Sequence, residues 1–228
     1  RAKAESERKV RQQPHRVDYF HQLDDPYSHL VAQVIADFAA RYDVEIVPHL
    51  VRASGGRNQP EEEKLAIWAR KDCGLIAPHF GLSFPENAER VPEVELQKIT
   101  GQVLAGLTAS EFLARIKDIS TALWSGDPKG LLSSSGLSAN PQELDTALDE
   151  GSALLADMNH YSGGTFYYGG EWYWGVDRLF HLEQRLRDLD ACSNPTEPYL
   201  VSRPSHDLDG VDASGLTLEF FPSLNSPY

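Results

Sequence analysis

The chain has 228 residues, of which 41% are hydrophobic and 24% charged, with a formal net charge of −13. That length can bury a full core as one large domain or two small ones, and the composition is that of a soluble globular protein. The acidic balance argues against a general phosphate-backbone binder, which depends on Lys and Arg, and disfavours an anionic membrane surface.

Residues 1–15 read as a solvated, flexible arm, charged and without the apolar core of a signal peptide. No later apolar run approaches the roughly 20 residues that span a bilayer, so a cytoplasmic protein is expected. Val17–His21 reads as a short strand, followed by the turn "DDP" and one helix. That helix carries Leu30, Val31, Val34, Ile35, Phe38 and Tyr42 as an apolar stripe. The β-branched run "VEIVPHLV" then has strand length, and the βαβ order predicts two parallel strands with a right-handed crossover.

From about 60 to 160 the pattern is helical. Leu65, Trp68 and Ala69 mark one helix face, and Leu96, Ile99, Val103 and Leu104 another. Thr108 with Glu111 has capping-box spacing. "GDPKGLLSSSG" reads as a loop, after which Asn140, Pro141 and Glu143 take the N-cap, N1 and N3 places of the next helix. "TFYY-GG-EWYW" then changes period and predicts a hairpin on a two-residue Gly loop. A last helix carries Leu179, Leu182, Leu186 and Leu189, before a Pro-rich linker over 191–215.

A parallel βαβ plus an antiparallel hairpin predicts a mixed sheet of about four strands with helices on both faces. The fold class is therefore α/β, a thioredoxin-like fold with an inserted all-helical domain. Residues 16–52 and 141–190 form the core and 53–140 the insertion.

The first strand runs into the corner "Asp25-Pro26-Tyr27-Ser28", at a helix N-terminus whose free N–H groups favour an anion. Asp25 reads either as a plain N-cap with Pro26 at N1, or as part of a corner built for an activated group. Other constellations are thin. Cys73 and Cys192 form no CxxC and read as reduced, inert thiols, and the eight histidines show no metal spacing. P-loop, GxGxxG and GxSxG patterns are absent. Tyr167, Tyr168, Trp172, Tyr173 and Trp174 read as core and interface.

With the corner at 25–28, "GGTF" at 163–166 and "GVDRL" at 175–179, the chain resembles the DsbA-like thioredoxin-fold superfamily. Within it the likeness is to the branch of 2-hydroxychromene-2-carboxylate isomerases and kappa-class glutathione transferases. It covers about residues 16–190, and "GEWYWGVDRL" is its most specific part. The resemblance implies glutathione as cofactor, a small hydrophobic or aromatic substrate, and catalysis by a Ser at the first corner position. It places Asp25 and Ser28 where disulfide oxidoreductases carry Cys-x-x-Cys, so dithiol chemistry is absent from this corner.

Asp25 stands in place of the Ser that would hydrogen-bond the glutathione sulfur, and its ionised carboxylate would repel a thiolate. Gly164 stands where the family has a cis-Pro; a Gly-Gly dipeptide is mobile and has no ring to enforce that geometry. The resemblance further implies ligand contacts from Pro26, Tyr27, Gly164 and Thr165, and from Asp177 toward the γ-glutamyl end. Asp177 reads equally well as an N-cap.

The terminal "LEFFPSLNSPY" echoes "VDYFHQLDDPY", with Ser226 in the place of Asp25. Residues 216–228 are therefore expected to begin a second, similar module that restores the catalytic Ser at Ser226. Two functions follow: a glutathione-dependent isomerase or transferase module, or a non-catalytic scaffold that packs against a like module or a second copy.

Overall fold

The computed structural model describes residues 1–55, 61–85, 91–133, 139–203 and 209–220. Four strands form one mixed sheet in the order β2-β1-β3-β4, with β1 at Arg16–Gln22, β2 at Glu45–Val51, β3 at Thr165–Tyr168 and β4 at Glu171–Trp174. β1 and β2 are parallel, from Arg16 opposite Glu45 to Gln22 opposite Val51. β1 and β3 are antiparallel, with Phe20 opposite Thr165. The hairpin loop Gly169-Gly170 has φ of +52° and +89°, the left-handed pair that a two-residue loop of this hand requires.

Alternation along β1 assigns its side chains to two layers. Tyr19 joins the main core, where it stacks on Phe166 with centroids 4.9 Å apart. Phe20 faces the opposite layer with Val51 and Leu155. The main core is completed by Leu30, Ile35, Phe38, Ile116, Leu179 and Leu182, all fully buried; truncating any of them to Ala is expected to cost roughly 2–5 kcal/mol. The second layer rests under α8 (Pro141–Asp157), and α9 (Val176–Asp188) closes the core beside the hairpin. Arg185 of α9, buried, donates to the carbonyls of Tyr168 at 2.7 Å and Gly169 at 3.0 Å, which ties the hairpin to that helix.

The capping boxes form as expected. Thr108 opens α6 (Ala109–Ser125) and Asn140 opens α8, each with the reciprocal Glu at N3. Elsewhere the structure departs from the sequence reading. Residues 2–10, expected as flexible arm, form α1 (Ala2–Val10), held by a two-pronged Arg8–Glu5 pair and by Arg1 donating to Glu171 at 2.7 Å. No residue of α1 is buried, so an apolar stripe could not announce it.

The single helix expected after the corner is two: α2 (Pro26–Ala32) and α3 (Ile35–Arg41). Gln33 and Val34 tighten to i→i−3 hydrogen bonds, and the Gln33 amide is clamped to the backbone of Ser83. The break is short enough to leave the apolar stripe in phase. Part of the segment expected as a loop is α7 (Pro128–Ser133), which buries Leu131.

α4 (Glu62–Ile76) buries Arg70 and Cys73, whereas Leu65 and Trp68, expected on its apolar face, are 45% and 61% exposed. α5 (Val94–Ala105) packs on α6 and α8. Past α9, part of the expected linker lies against the body: the buried Glu183 carboxylate accepts from the backbone of Leu200 and Val201 and from the Tyr42 hydroxyl. Among the described residues, no helix is long and apolar enough to cross a membrane.

Candidate functional site

The inner strand β1 ends at Gln22, and the chain turns at once into α2. Asp25, extended at φ −88° and ψ 119°, is the N-cap and Pro26 takes the first helical position. One carboxylate oxygen accepts from the Ser28 backbone and the Ser28 hydroxyl, both at 2.7 Å, and the other from the Tyr27 backbone at 3.4 Å. The Ser28 oxygen also accepts from the Gln22 backbone at 3.2 Å. The Tyr19 hydroxyl, below the corner, meets His21 Nδ1 at 2.8 Å.

Gly164 closes the corner from the other side. Its φ is +62°, and a Cβ built there would lie 2.9 Å from both Asp25 Oδ2 and the Ser28 nitrogen. Its carbonyl accepts from Gly175 at 2.8 Å. The dipeptide expected to be mobile is thus pressed onto the corner, and only glycine allows that approach. No cis peptide bond occurs among the described residues.

Two clefts flank the corner and share Tyr27 and Trp174, whose rings meet edge-on at 5.3 Å. The first, of about 380 Å³, is lined by Asp24, Asp25, Tyr27, Trp68, Tyr161 and Trp174 among others. The second, of about 420 Å³, is lined by Asp72, His79, Asp177, Arg178, His181 and Arg203, with Tyr27 and Trp174 again. The Tyr27 hydroxyl donates to Asp72 at 2.8 Å and so stands as the partition between them.

No family model matches the chain, and no curated protein matches it. Solved structures do. A 2-hydroxychromene-2-carboxylate isomerase superposes with a TM-score of 0.54 at 19% identity, over 77% of this chain and 96% of its own. A probable DsbA oxidoreductase from Streptomyces coelicolor gives 0.53 at 13% identity, over 81% and 94%. The chain has the DsbA-like thioredoxin fold. At such identities the likeness carries the fold, and the chemistry has to be argued from the residues.

The DsbA-like fold here brings together Asp25, Pro26, Tyr27, Ser28 and Gly164. Thr165 follows within the sheet, fully buried, and spends its hydroxyl on the Tyr173 carbonyl at 3.3 Å. Asp177 lies in the second cleft. It is not an N-cap: Gly175 holds that place and Asp177 is the second residue of α9. Ser226 lies outside the described residues. Trp68, Tyr161 and Ser54 of the first cleft were missed by sequence reasoning; their only signal is that Trp68 is apolar on a turn of α4 that the core does not claim.

Burial sets the electrostatics of the corner. It raises the Asp25 carboxyl to about 6, against the hydrogen bonds from Ser28 and Tyr27, and the Asp24 charge adds to the rise. Burial likewise raises Asp177, opposed by Arg178 and reinforced by Asp72. It lowers His21 to about 3 and His29 to about 4, so both imidazoles are neutral at physiological pH. The Cys73 thiol is fully buried and pushed up, first by burial and then by Asp25, which leaves no reactive thiolate near the corner. Among the described residues no group of three or more His, Cys, Asp or Glu gathers to hold a metal.

Proposed function

We propose that this chain binds a small aromatic molecule in the first cleft and that Asp25 exchanges a proton with it, as an isomerase-like module without thiol chemistry. One arrangement carries the reading: a carboxyl fixed by Ser28, and pushed up to about 6 by its burial, lines a cleft walled by Tyr27, Trp68, Tyr161 and Trp174. A general acid–base works best with a pKa close to the operating pH. Near neutrality Asp25 is mostly ionised and accepts a proton from the bound molecule; returning it to a different atom leaves the net composition unchanged. Ser28 holds the carboxylate in place, and the aromatic walls supply the binding surface.

Glutathione, the cofactor implied by the resemblance, fits this corner poorly on two counts. An anionic carboxylate stands where its sulfur would sit. The helix donors that a thiolate would use are already taken by Asp25. Those same bonds favour a second reading, in which Asp25 is only a cap and the chain is a scaffold or dimerisation module.

Calorimetry with glutathione is expected to give no saturable heat from wild type or Asp25→Ser; saturable binding to wild type would overturn the glutathione-free reading. A screen of small aromatic compounds is expected to give saturable quenching of tryptophan fluorescence. With a bound compound, deuterium exchange at its acidic position should occur in wild type and stop in Asp25→Asn. Exchange that survives that substitution leaves Asp25 as a cap alone.

A further inference from the structure

The first cleft has a one-sided charge pattern. Its described lining includes the carboxylates of Asp24, Asp25 and Glu62 but no Lys, Arg or His. Asp24 accepts from the Gln22 amide at 3.0 Å and Asp25 from Ser28 and Tyr27; among the described residues neither has a cationic partner. Adjacent anions without a counter-ion are an unfavourable arrangement, and each raises the cost of the other. The rings of Tyr27, Trp68, Tyr161 and Trp174 complete the wall, and the face of such a ring attracts a cation.

A second, independent feature points to a donor on the ligand. The Ser54 oxygen, in the same lining and shielded from solvent, has no hydrogen-bond partner. The protein also shows the attraction at work on one of these rings, where Lys71 rests its ammonium 4.7 Å over Trp68. An aromatic carboxylate entering here would meet the carboxylates of Asp24 and Asp25, neither of which has a cationic partner among the described residues. An aryl ammonium would supply the missing counter-charge, stack on the walls and offer Ser54 an N–H.

We propose that the ligand of this cleft is a small aromatic cation, a protonated arylalkyl amine, and that Asp24 and Asp25 select it against aromatic acids. This rests on the reading of the first cleft as a ligand site. The test uses the full chain and three probes of similar shape: a naphthylmethylammonium salt, naphthalenemethanol and naphthoate. Binding is measured by calorimetry at low salt and at a pH well above the Asp25 titration.

The cation is expected to bind about tenfold tighter than the alcohol, and the carboxylate most weakly. Asp24→Asn and Trp174→Leu should each reduce the cation's advantage by about threefold or more, in protein whose circular dichroism and melting match wild type. Binding of the carboxylate as tight as that of the cation overturns this inference and leaves the proposed ligand site standing. A cation preference that neither variant lowers places the charge recognition elsewhere and overturns it as well. Absence of saturable binding by all three probes overturns both readings.

Discussion

Asp25 and Asp177 are two carboxylates at the starts of two helices, on opposite sides of the Tyr27–Trp174 partition. Burial raises both. They differ in company. Asp177 sits at 3.5 Å from the Arg178 guanidinium, in a cleft that also holds two histidines and a second arginine. Asp25 has only hydrogen-bond donors and a second acid, Asp24, beside it. One carboxylate is answered by charge and the other by geometry. The comparison teaches that the acid corner is held by close packing of neutral groups, so its properties are sensitive to ångström-scale changes in the backbone around it.

The largest expected effect tests that packing. Gly164 and Gly175 both have positive φ, +62° and +76°, but a Cβ at Gly164 meets the backbone nitrogen of Ser28 at 2.9 Å, whereas at Gly175 it meets only the movable Asp177 carboxylate. Gly164→Ala is expected to destabilise by about 4 kcal/mol, from left-handed strain plus displacement of the corner. Gly175→Ala is expected to cost about 2 kcal/mol, from strain alone. Urea unfolding of the two variants checks the order; equal losses would mean that the Gly164 contact is slack.

The next effect concerns charge. The folded Asp25 carboxyl titrates near 6 against an ordinary 3.8. The folded state therefore holds its proton over a window in which the unfolded chain has released it, and stability falls as pH rises from about 4 to about 6. A displacement of that size corresponds to about 2–3 kcal/mol. Asp25→Asn keeps a cap oxygen and removes the charge, so it is expected to flatten this segment of the stability–pH profile and to leave the protein about 2 kcal/mol more stable at neutral pH than the charge alone would allow. Asp177→Asn should change the same segment less, because Arg178 already opposes the rise there. Denaturation midpoints at several pH values measure both; a wild-type minus Asp25→Asn difference that does not fall across the window would contradict the buried-anion account.

Much of this architecture was legible in the sequence, for local reasons. Val17–His21 is a short run of β-formers, Asp25-Pro26 carries a cap and a first-turn proline, Thr108–Glu111 and Asn140–Glu143 carry complete capping boxes, and Gly169-Gly170 supplies two left-handed residues. Each signal lies within a few residues of the feature it specifies. The cleft was not legible, because its walls come from four separated stretches: Asp24–Tyr27, Ala53–Ser54, α4 and Tyr161–Gly163, with Trp174 at the partition. Trp68 misled for the same reason, since an apolar residue reads as core until the helix is docked and leaves it 61% exposed. The Gln33–Val34 break depends on Ser83, 50 residues away, and so lies beyond any local pattern. At Gly164 the sequence showed only the absence of a proline ring; that the position tolerates no side chain follows from where the second half of the sheet places it against the first.

The smallest expected effect is at the rim of the acid cleft. Lys71 is exposed, and its ammonium over the Trp68 ring is a surface cation–π contact, for which about 0.5 kcal/mol is usual. Lys71→Ala should therefore leave stability within about 0.5 kcal/mol of wild type. Its effect on binding has a definite sign. Removing a tethered cation lowers the positive charge that an incoming cation must approach, so the naphthyl ammonium probe should bind about two- to threefold tighter. The neutral alcohol should not respond, which separates loss of charge from mere widening of the rim. A gain shared equally by the two probes would make Lys71 a steric guard, and the difference between the clefts would then lie in their shapes and not in their charges.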